Sequence, residues 1–491
     1  MLGHGLALLS GAIAAMAFSP FDYYPLAIFS LVLLFLTWDE VSASVAAWRG
    51  LLFGIGLFGV GISWVYIAIY VFGQAGSVIA TGLTALLVIL LASYLAIIAY
   101  LIKRLSPQRQ FRWAEYILLL PVAWLFFEWC KGWLFSGFPW LELGTSQVNG
   151  PLSGYIPVIG ALGVSGLVAL SAGLLAYGWR YRYPLAVIPV LLIWLGGVLL
   201  QSMTWTLPDG EPIKVSLIQG NVPQSIKWDK AQLLDTMALY QAETGRHWDS
   251  DVIIWPENAM TAFYHQIKPD FLDPLADKAK ENQTIILAGM PFYDMKTARY
   301  YNSLVSLGGE FEVYHKHRLV PFGDYMPFEW LRGLLQFFNL PMSDFSPGPE
   351  KQPLFSAAGQ KLGISICYED IFSAQIRALL PAATMLVNVT NNAWYGDSFA
   401  PHQHLQIAQS RALETGRPIL RATTNGISAF INHRGELTAV TTQFERQVLS
   451  ATVQGRIGAT PYVYWQYWPM IIIVSLLWLL WLWTRLRPEA G

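Results

Sequence analysis

The chain has 491 residues, of which 54% are apolar and only 13% charged, and its mean hydropathy is +0.41. That balance is rare in soluble proteins and points to a membrane protein of two or three domains. A formal net charge of −1 offers no basic surface for nucleic acid, and two cysteines exclude a disulfide scaffold. A bilayer span takes roughly 20 mostly apolar residues. In chain order, candidate spans cover about 4–18, 24–38, 51–72, 78–102, 113–130, 157–178 and 184–201, with an eighth at 467–484. The first two are short, and Ser-Pro-Phe-Asp-Tyr-Tyr between them reads as a tight hairpin. The first span lacks the basic start and small-residue cleavage site of a signal peptide, so it is expected to be retained.

Basic residues in short loops orient such a bundle. Arg49, then Lys103, Arg104, Arg109 and Arg112, then Arg180 and Arg182, and finally Arg485 and Arg487 fall on one side, while the other side holds little beyond Lys131. Both termini are therefore expected in the cytoplasm. The resulting division is a transmembrane bundle over 1–203, an extracytoplasmic domain over 204–460, and a last span with its tail over 461–491. In a two-membrane bacterium this is a multi-pass inner-membrane protein with a periplasmic domain.

Within that domain, short β-branched runs alternate with helix-period segments. Strands are expected at 214–219, 252–255, 284–288, 303–307, 311–314, 362–367, 385–390, 419–422, 427–431 and 449–453. Helices are expected at 229–247, 267–282, 371–380 and 401–416. Alternation of this kind predicts an α/β domain with helices covering sheet faces. Glu257 and Cys367 each fall just past a strand, where open α/β sheets bind ligands.

Three residues carry the chemistry. Cys367 closes the apolar run Gly-Ile-Ser-Ile-Cys, Glu257 follows Val-Ile-Ile-Trp-Pro, and Lys316 sits in Val-Tyr-His-Lys-His-Arg. A thiol with a reference pKa of about 8.5 is mostly protonated at neutral pH, so it needs a base to become a nucleophile. Glu257 is the candidate base and Lys316 the candidate oxyanion stabiliser, aided by a main-chain N–H after the cysteine and by the N-terminus of a helix starting near Asp370. Glu369 is a candidate for holding the lysine or the base. Taken singly, each has a bland alternative: a small core thiol, a helix cap and a solvated turn. Their common placement at strand ends of one domain favours the chemical reading. His402 and His404 stand two apart, which on a helix points them away from each other, so capping and surface roles are expected rather than a metal site. No cofactor is called for.

Trp-Pro-Glu, the later lysine and Cys-Tyr-Glu, in that order, resemble the Glu-Lys-Cys triad of the nitrilase (carbon–nitrogen hydrolase) superfamily. The resemblance is closer to its membrane-bound branch, the apolipoprotein N-acyltransferases. It extends through Gln-Gly-Asn-Val-Pro-Gln-Ser-Ile-Lys-Trp at 219–228, Leu-Val-Pro-Phe-Gly at 319–323, Asn-Asn-Ala-Trp-Tyr-Gly-Asp-Ser at 391–398, Pro-His-Gln-His-Leu-Gln at 401–406 and Gly-Arg-Pro at 416–418. It implies a polytopic helical bundle carrying an αββα sandwich, and a catalytic triad of Glu257, Lys316 and Cys367. It further implies transfer of an acyl chain from a phospholipid, typically phosphatidylethanolamine, through a cysteine thioester to the α-amine of a diacylglyceryl-modified apolipoprotein. Tyr368 and Glu369 match residues beside the family's nucleophile, and Trp228 matches a tryptophan near its site. Asp324 stands where Glu is common, which shortens its reach, and Asn392 and Tyr395 replace a frequent Asp and Phe.

Lifting an acyl chain from a bilayer costs about 0.8 kcal/mol per CH₂, so a domain seated on the membrane spares that cost. The segment 327–338, with apolar residues at helical spacing, is expected to form an interfacial lid. A monomer is expected. Two alternatives stay open: a membrane-tethered amidase that passes the acyl group to water, and a non-enzymatic lipid-binding or transport protein. The latter predicts ionisable residues lining a path through the spans, for which Glu115 and Glu128 are the candidates.

Overall fold

The structure is a computed structural model that describes residues 2–106, 112–325 and 344–486. The chain forms two compact units, one of Met1–Tyr66, Val78–Thr204 and Thr460–Gly491, the other of Ile67–Ser77 and Trp205–Ala459. In the first, five helices among the described residues are long and apolar enough to cross a membrane: Ala43–Gly61, Ser77–Leu105, Arg112–Lys131, Pro151–Arg180 and Pro184–Gln201. Leu2–Ala15, Pro25–Thr37 and Trp468–Trp483 are shorter apolar helices. The expected span 51–72 is displaced. Ser42 caps the helix by accepting from the Val45 N–H, and the Arg49 side chain turns back to the Thr37 carbonyl, so the helix runs through this arginine instead of starting after it. The helix stops at Gly61, and Ile67–Ser77 belongs to the other unit.

Small residues let these helices touch along their backbones. A methyl group on Gly11 would strike the Phe53 carbonyl, and one on Gly56 would strike that of Leu8. The two acids that a transport path would use are engaged inside the bundle. Glu115 pairs with Lys103 at 2.7 Å and Arg112 at 2.8 Å, while Glu128 accepts from the Trp124 indole at 3.0 Å and the Leu143 N–H at 2.9 Å.

The second unit contains the strands β1 (Thr206–Pro208), β2 (Ile213–Gln219), β3 (Val252–Ile254), β4 (Ile285–Asp294), β5 (Arg299–Leu307), β6 (Val313–His315), β7 (Phe355–Ala357), β8 (Gln360–Ile366), β9 (Met385–Thr390), β10 (Ile419–Thr423), β11 (Ala429–Ile431), β12 (Leu437–Val440), β13 (Gln447–Val453) and β14 (Arg456–Gly458). One six-stranded sheet has the order β13-β2-β3-β4-β5-β6, the other β12-β11-β10-β9-β8-β7, and β1 pairs with β14. The centre of each sheet is parallel, β2-β3-β4 and β8-β9-β10, with antiparallel strands outside it. Parallel strands buried on both faces explain why Val-Ile-Ile and Met-Leu-Val-Asn-Val read as continuous apolar runs.

Helices cover the two outer faces. Tyr240, Leu272, Leu275 and Ala279 pack on Ile218, Ile253, Ile286 and Val305 of the first sheet, and Ile376, Leu405, Ala408 and Ala412 pack on Leu386, Ile419 and Ile431 of the second. Between the sheets, the side-chain Oε1 of Gln219 on β2 accepts from the hydroxyls of Thr423, Ser428 and Thr441 at 3.1, 2.8 and 2.8 Å, which ties one sheet to the other. The result is a polytopic helical bundle with an αββα sandwich.

Two expected helices are broken. The one at 267–282 starts as Tyr264–Ile267, widens into a π turn over Lys268–Leu272 and resumes as Asp273–Glu281, because Pro269 and Pro274 cannot donate to the helical ladder. The one at 371–380 is only Ser373–Arg377. Its start is blocked by a tight turn over Cys367–Ile371 and by Phe372 at φ −92° and ψ 95°, so the α-helix does not begin near Asp370 as expected. The lid segment 327–338 lies outside the described residues.

Candidate active site

Four residues just beyond strand ends meet where the parallel strands of both sheets terminate. Glu257 follows β3 after Trp255 and Pro256, Lys316 follows β6, Cys367 follows β8, and Asn391 follows β9. Trp255 is fully buried, packs with its ring tilted against Tyr240 at 4.9 Å and donates its indole N–H to Thr244 at 3.1 Å. It thereby anchors the turn that carries Glu257. Gly289 of β4 backs that turn, since a methyl group there would collide with the Pro256 carbonyl and lie 2.9 Å from the Asn258 nitrogen.

The Glu257 carboxylate is held from both sheets. Its Oε1 accepts from Lys316 Nζ at 3.1 Å and Asn302 Nδ2 at 2.7 Å, and its Oε2 accepts from the Asn391 main-chain N–H at 2.8 Å. Lys316 Nζ also pairs with Asp324 Oδ2 at 2.8 Å. Both members of the Glu257–Lys316 pair are almost wholly shielded, with 5% and 1% exposure, so the pair depends on geometry rather than on solvent screening. Burial alone would raise the Glu257 carboxyl, but Lys316, Asn302 and a second lysine, Lys227, outweigh it and hold the group below its ordinary range. Burial likewise disfavours the Lys316 ammonium, yet Asp324 and Glu257 overcome this and raise it well above the usual lysine value.

Cys367 is buried beside them. It adopts φ +53°, a left-handed conformation that costs a residue with a Cβ about 1–2 kcal/mol. Burial pushes its thiol up to about 12, the Glu257 charge adds to this, and Lys316 together with a hydrogen bond from the Thr390 hydroxyl opposes it. The resting thiol is therefore neutral, beside a carboxylate held below its ordinary range.

The structure brings Glu257, Lys316, Cys367 and Asp324 together, and Asp324 reaches the lysine despite its short side chain. Glu369 is placed differently from expectation. Its carboxylate accepts from the N–H groups of Ile366, His317 and Arg318 at 2.7, 2.7 and 3.1 Å, from Tyr314 at 2.9 Å and from Gln375 at 2.8 Å. It thus ties the chain before Cys367 to the chain after Lys316, and it holds neither the ammonium nor the Glu257 carboxylate. Tyr368 packs edge-on against Phe372 at 5.2 Å, under which Arg318 lies 4.2 Å from the ring centre. Trp228 is half-buried beside Lys227, and its indole N–H has no partner among the described residues.

Sequence reasoning passed over Lys227, Asn302, Asn391 and Thr390. Lys227 lies in the quoted block at 219–228, is 2% exposed, and donates at 3.3 Å to the Glu257 carbonyl and to Thr424. Burial brings it down to about 8, against the pull of Glu257. A lysine inside an otherwise apolar and amide-rich block was the available signal. Surface and capping roles fail for His404: it is 2% exposed, with Nε2 2.7 Å from Asp370 and Nδ1 3.3 Å from Asn392. The near-complete burial of the helix Ala400–Thr415 puts both of its faces in protein.

An ionised carboxylate, an ammonium and a neutral thiol in one dry site are suited to acyl transfer through a covalent thioester. Residues 10–174 match the apolipoprotein N-acyltransferase N-terminal domain, and 214–462 match the carbon–nitrogen hydrolases. The apolipoprotein N-acyltransferase of Methylococcus capsulatus is 45% identical over 470 residues, 95% of this chain and 93% of its own. Those of Azotobacter vinelandii and Vibrio cholerae are each 40% identical, covering 100% and 95% of this chain and 96% and 94% of theirs. The chain belongs to the apolipoprotein N-acyltransferase family, with a carbon–nitrogen hydrolase domain following an apolar helical one.

Proposed function

We propose that this membrane protein is the N-acyltransferase of lipoprotein maturation, working through Glu257, Lys316 and Cys367. As the Cys367 sulfur attacks an ester carbonyl of a phospholipid, Glu257 takes the thiol proton. The carbonyl oxygen becomes an oxyanion, and Lys316, with two of its donors already used on Glu257 and Asp324, turns the remaining one to it. The bond to the glycerol oxygen then breaks, Glu257 returns the proton to that oxygen, and a lysophospholipid leaves behind a thioester. In the second half, the α-amine of a diacylglyceryl-cysteine attacks the thioester carbonyl. Its proton passes through Glu257 to the departing sulfur, and the amide is released. Loss of one oxyanion donor in such a site lowers the rate by about 10²–10³-fold.

The observation that carries this reading is the Glu257–Lys316 pair at 3.1 Å beside a buried, positive-φ cysteine, in a chain matched to this family over nearly its whole length. Phosphatidylethanolamine is the proposed donor. The charge asymmetry of the loops supports an inner-membrane position with 204–460 in the periplasm; activity of a reporter fused after residue 210 only in the cytoplasm would overturn it. The reaction is tested by mass spectrometry of the purified protein incubated with phosphatidylethanolamine. An acyl mass on Cys367, discharged by a diacylated lipopeptide but stable in water, is the expected result. Rapid discharge in water alone would assign a hydrolase instead, and no adduct would remove both enzyme readings.

A further inference from the structure

Around the turn that Cys367 begins lies a second cluster of buried polar side chains that the reaction above does not use. Asp370, at the end of the turn that Cys367 begins, is gripped twice: by His404 Nε2 at 2.7 Å and by Arg421 Nη1 at 3.0 Å. Arg421 also donates to Asn388 Oδ1 at 2.5 Å, and Asn388 Nδ2 donates to the Cys367 carbonyl at 3.4 Å. The His404 ring is itself within hydrogen-bonding reach of the same carbonyl. His404, Asp370, Arg421 and Asn388 have exposures of 2%, 2%, 0% and 1%. They come from the helix Ala400–Thr415, the turn Cys367–Ile371, β10 and β9. Three other elements thus converge on a five-residue turn whose first residue has φ +53°.

A non-glycine residue keeps a left-handed conformation only where its surroundings over-determine it. The turn here is fixed at both ends, through the carbonyl of Cys367 and the carboxylate of Asp370. We propose that His404 is a positioning residue for the nucleophile: with Asp370 and Arg421 it clamps this turn, holding Cys367 in its left-handed conformation with the sulfur beside Glu257 and Lys316. The clamp acts on the rate of attack and leaves lipid binding alone, because none of its members is among the groups that meet Glu257 or Lys316. A displacement of the sulfur by about 1 Å is enough to slow such a reaction by about 10²-fold.

The inference rests on Cys367 being the acylated thiol, and the experiment separates the two. Formation of the Cys367 acyl adduct from phosphatidylethanolamine is timed by intact mass for the wild type, His404→Gln and His404→Asn, with thermal unfolding of each as a control. The longer amide of His404→Gln still spans to Asp370, and the shorter one of His404→Asn does not. His404→Asn is expected to lower the acylation rate constant by about 10²-fold with half-saturating lipid unchanged, and His404→Gln to recover most of it. Asp370→Asn weakens the same grip from the other side and decides the matter if His404→Asn does not fold. Equal rates in wild type, His404→Asn and Asp370→Asn, or a change confined to half-saturating lipid, would overturn the clamp. A wild type that forms no adduct would instead remove the nucleophile assignment itself.

Discussion

Glu369→Gln is nearly isosteric, yet it should damage this protein severely, because all five of Glu369's partners act as donors. The carboxylate Oε2 accepts from Ile366 N–H and the Tyr314 hydroxyl, and Oε1 accepts from the N–H groups of His317 and Arg318 and from Gln375. An amide has one accepting oxygen, so its NH₂ must face donors whichever way it turns. Facing Oε1's partners, it orphans two main-chain N–H groups. Facing Oε2's, it orphans one, since Tyr314 can rotate and accept, and that is the less costly choice. Losing one bond to a charged acceptor costs about 1.5–3 kcal/mol, and weakening the other three from charged to neutral adds about 1 kcal/mol or more. A total of about 2.5–4 kcal/mol or more follows, at a position that is 0% exposed and where no water can compensate. Because Ile366 precedes Cys367 and His317 follows Lys316, the nucleophile and the cation should also lose register, with acylation slowed by about 10²-fold. Thermal unfolding in detergent and timed acylation of Cys367 measure the two effects. A variant with an unchanged unfolding midpoint and wild-type acylation would show that Glu369 does not tie these strand ends together.

The remaining predictions concern the charge balance and packing of the site. Since the resting thiol titrates near 12, alkylation of Cys367 by iodoacetamide should accelerate steadily from about pH 6 to about pH 10, and a plateau below about pH 9 would contradict a buried neutral thiol. Lys227 helps to keep Glu257 ionised, so Lys227→Met should raise the Glu257 pKa and move the acid limb of the acylation rate to higher pH; an unmoved or lowered limb would refute this coupling. Gly289→Ala should cost about 1–3 kcal/mol and lower activity by pushing the Pro256–Glu257 turn, and a fully active, equally stable variant would mean that the turn has room to yield.

Glu257, Lys316 and Cys367, the proposed reacting groups, stood out because each breaks an apolar pattern at a strand end, and the central parallel strands because their β-branched runs are continuous. What escaped was long-range. Asn391 meets Glu257 across 134 positions, a contact that exists only once the two sheets stack, and Arg421 meets Asp370 across 51, a contact that exists only once β8, β9 and β10 have assembled side by side. The role of Glu369 was misread for a related reason: a side chain two positions after the nucleophile was assumed to look into the site, whereas the turn at Cys367 aims it back at main-chain donors. The short strands β1, β7, β12 and β14 were missed because three or four residues carry too little periodicity to stand out. Helix 371–380 was overcalled because its residues favour a helix locally, while the clamped turn before it fixes the backbone otherwise.

The neighbour of β2 on its outer side is β13, and Ser216 and Ser450, which share a hydrogen bond across that pairing, are 234 positions apart. During synthesis the first strand of this sheet therefore emerges long before the strand that seals its flank. Until then β2 presents an open row of main-chain donors and acceptors, the kind of surface on which chains pair wrongly. Closure over so long a separation is slow compared with local folding. The carboxylate and the ammonium of the site both hang from this sheet, so the sheet that carries them is complete only once β13 has paired.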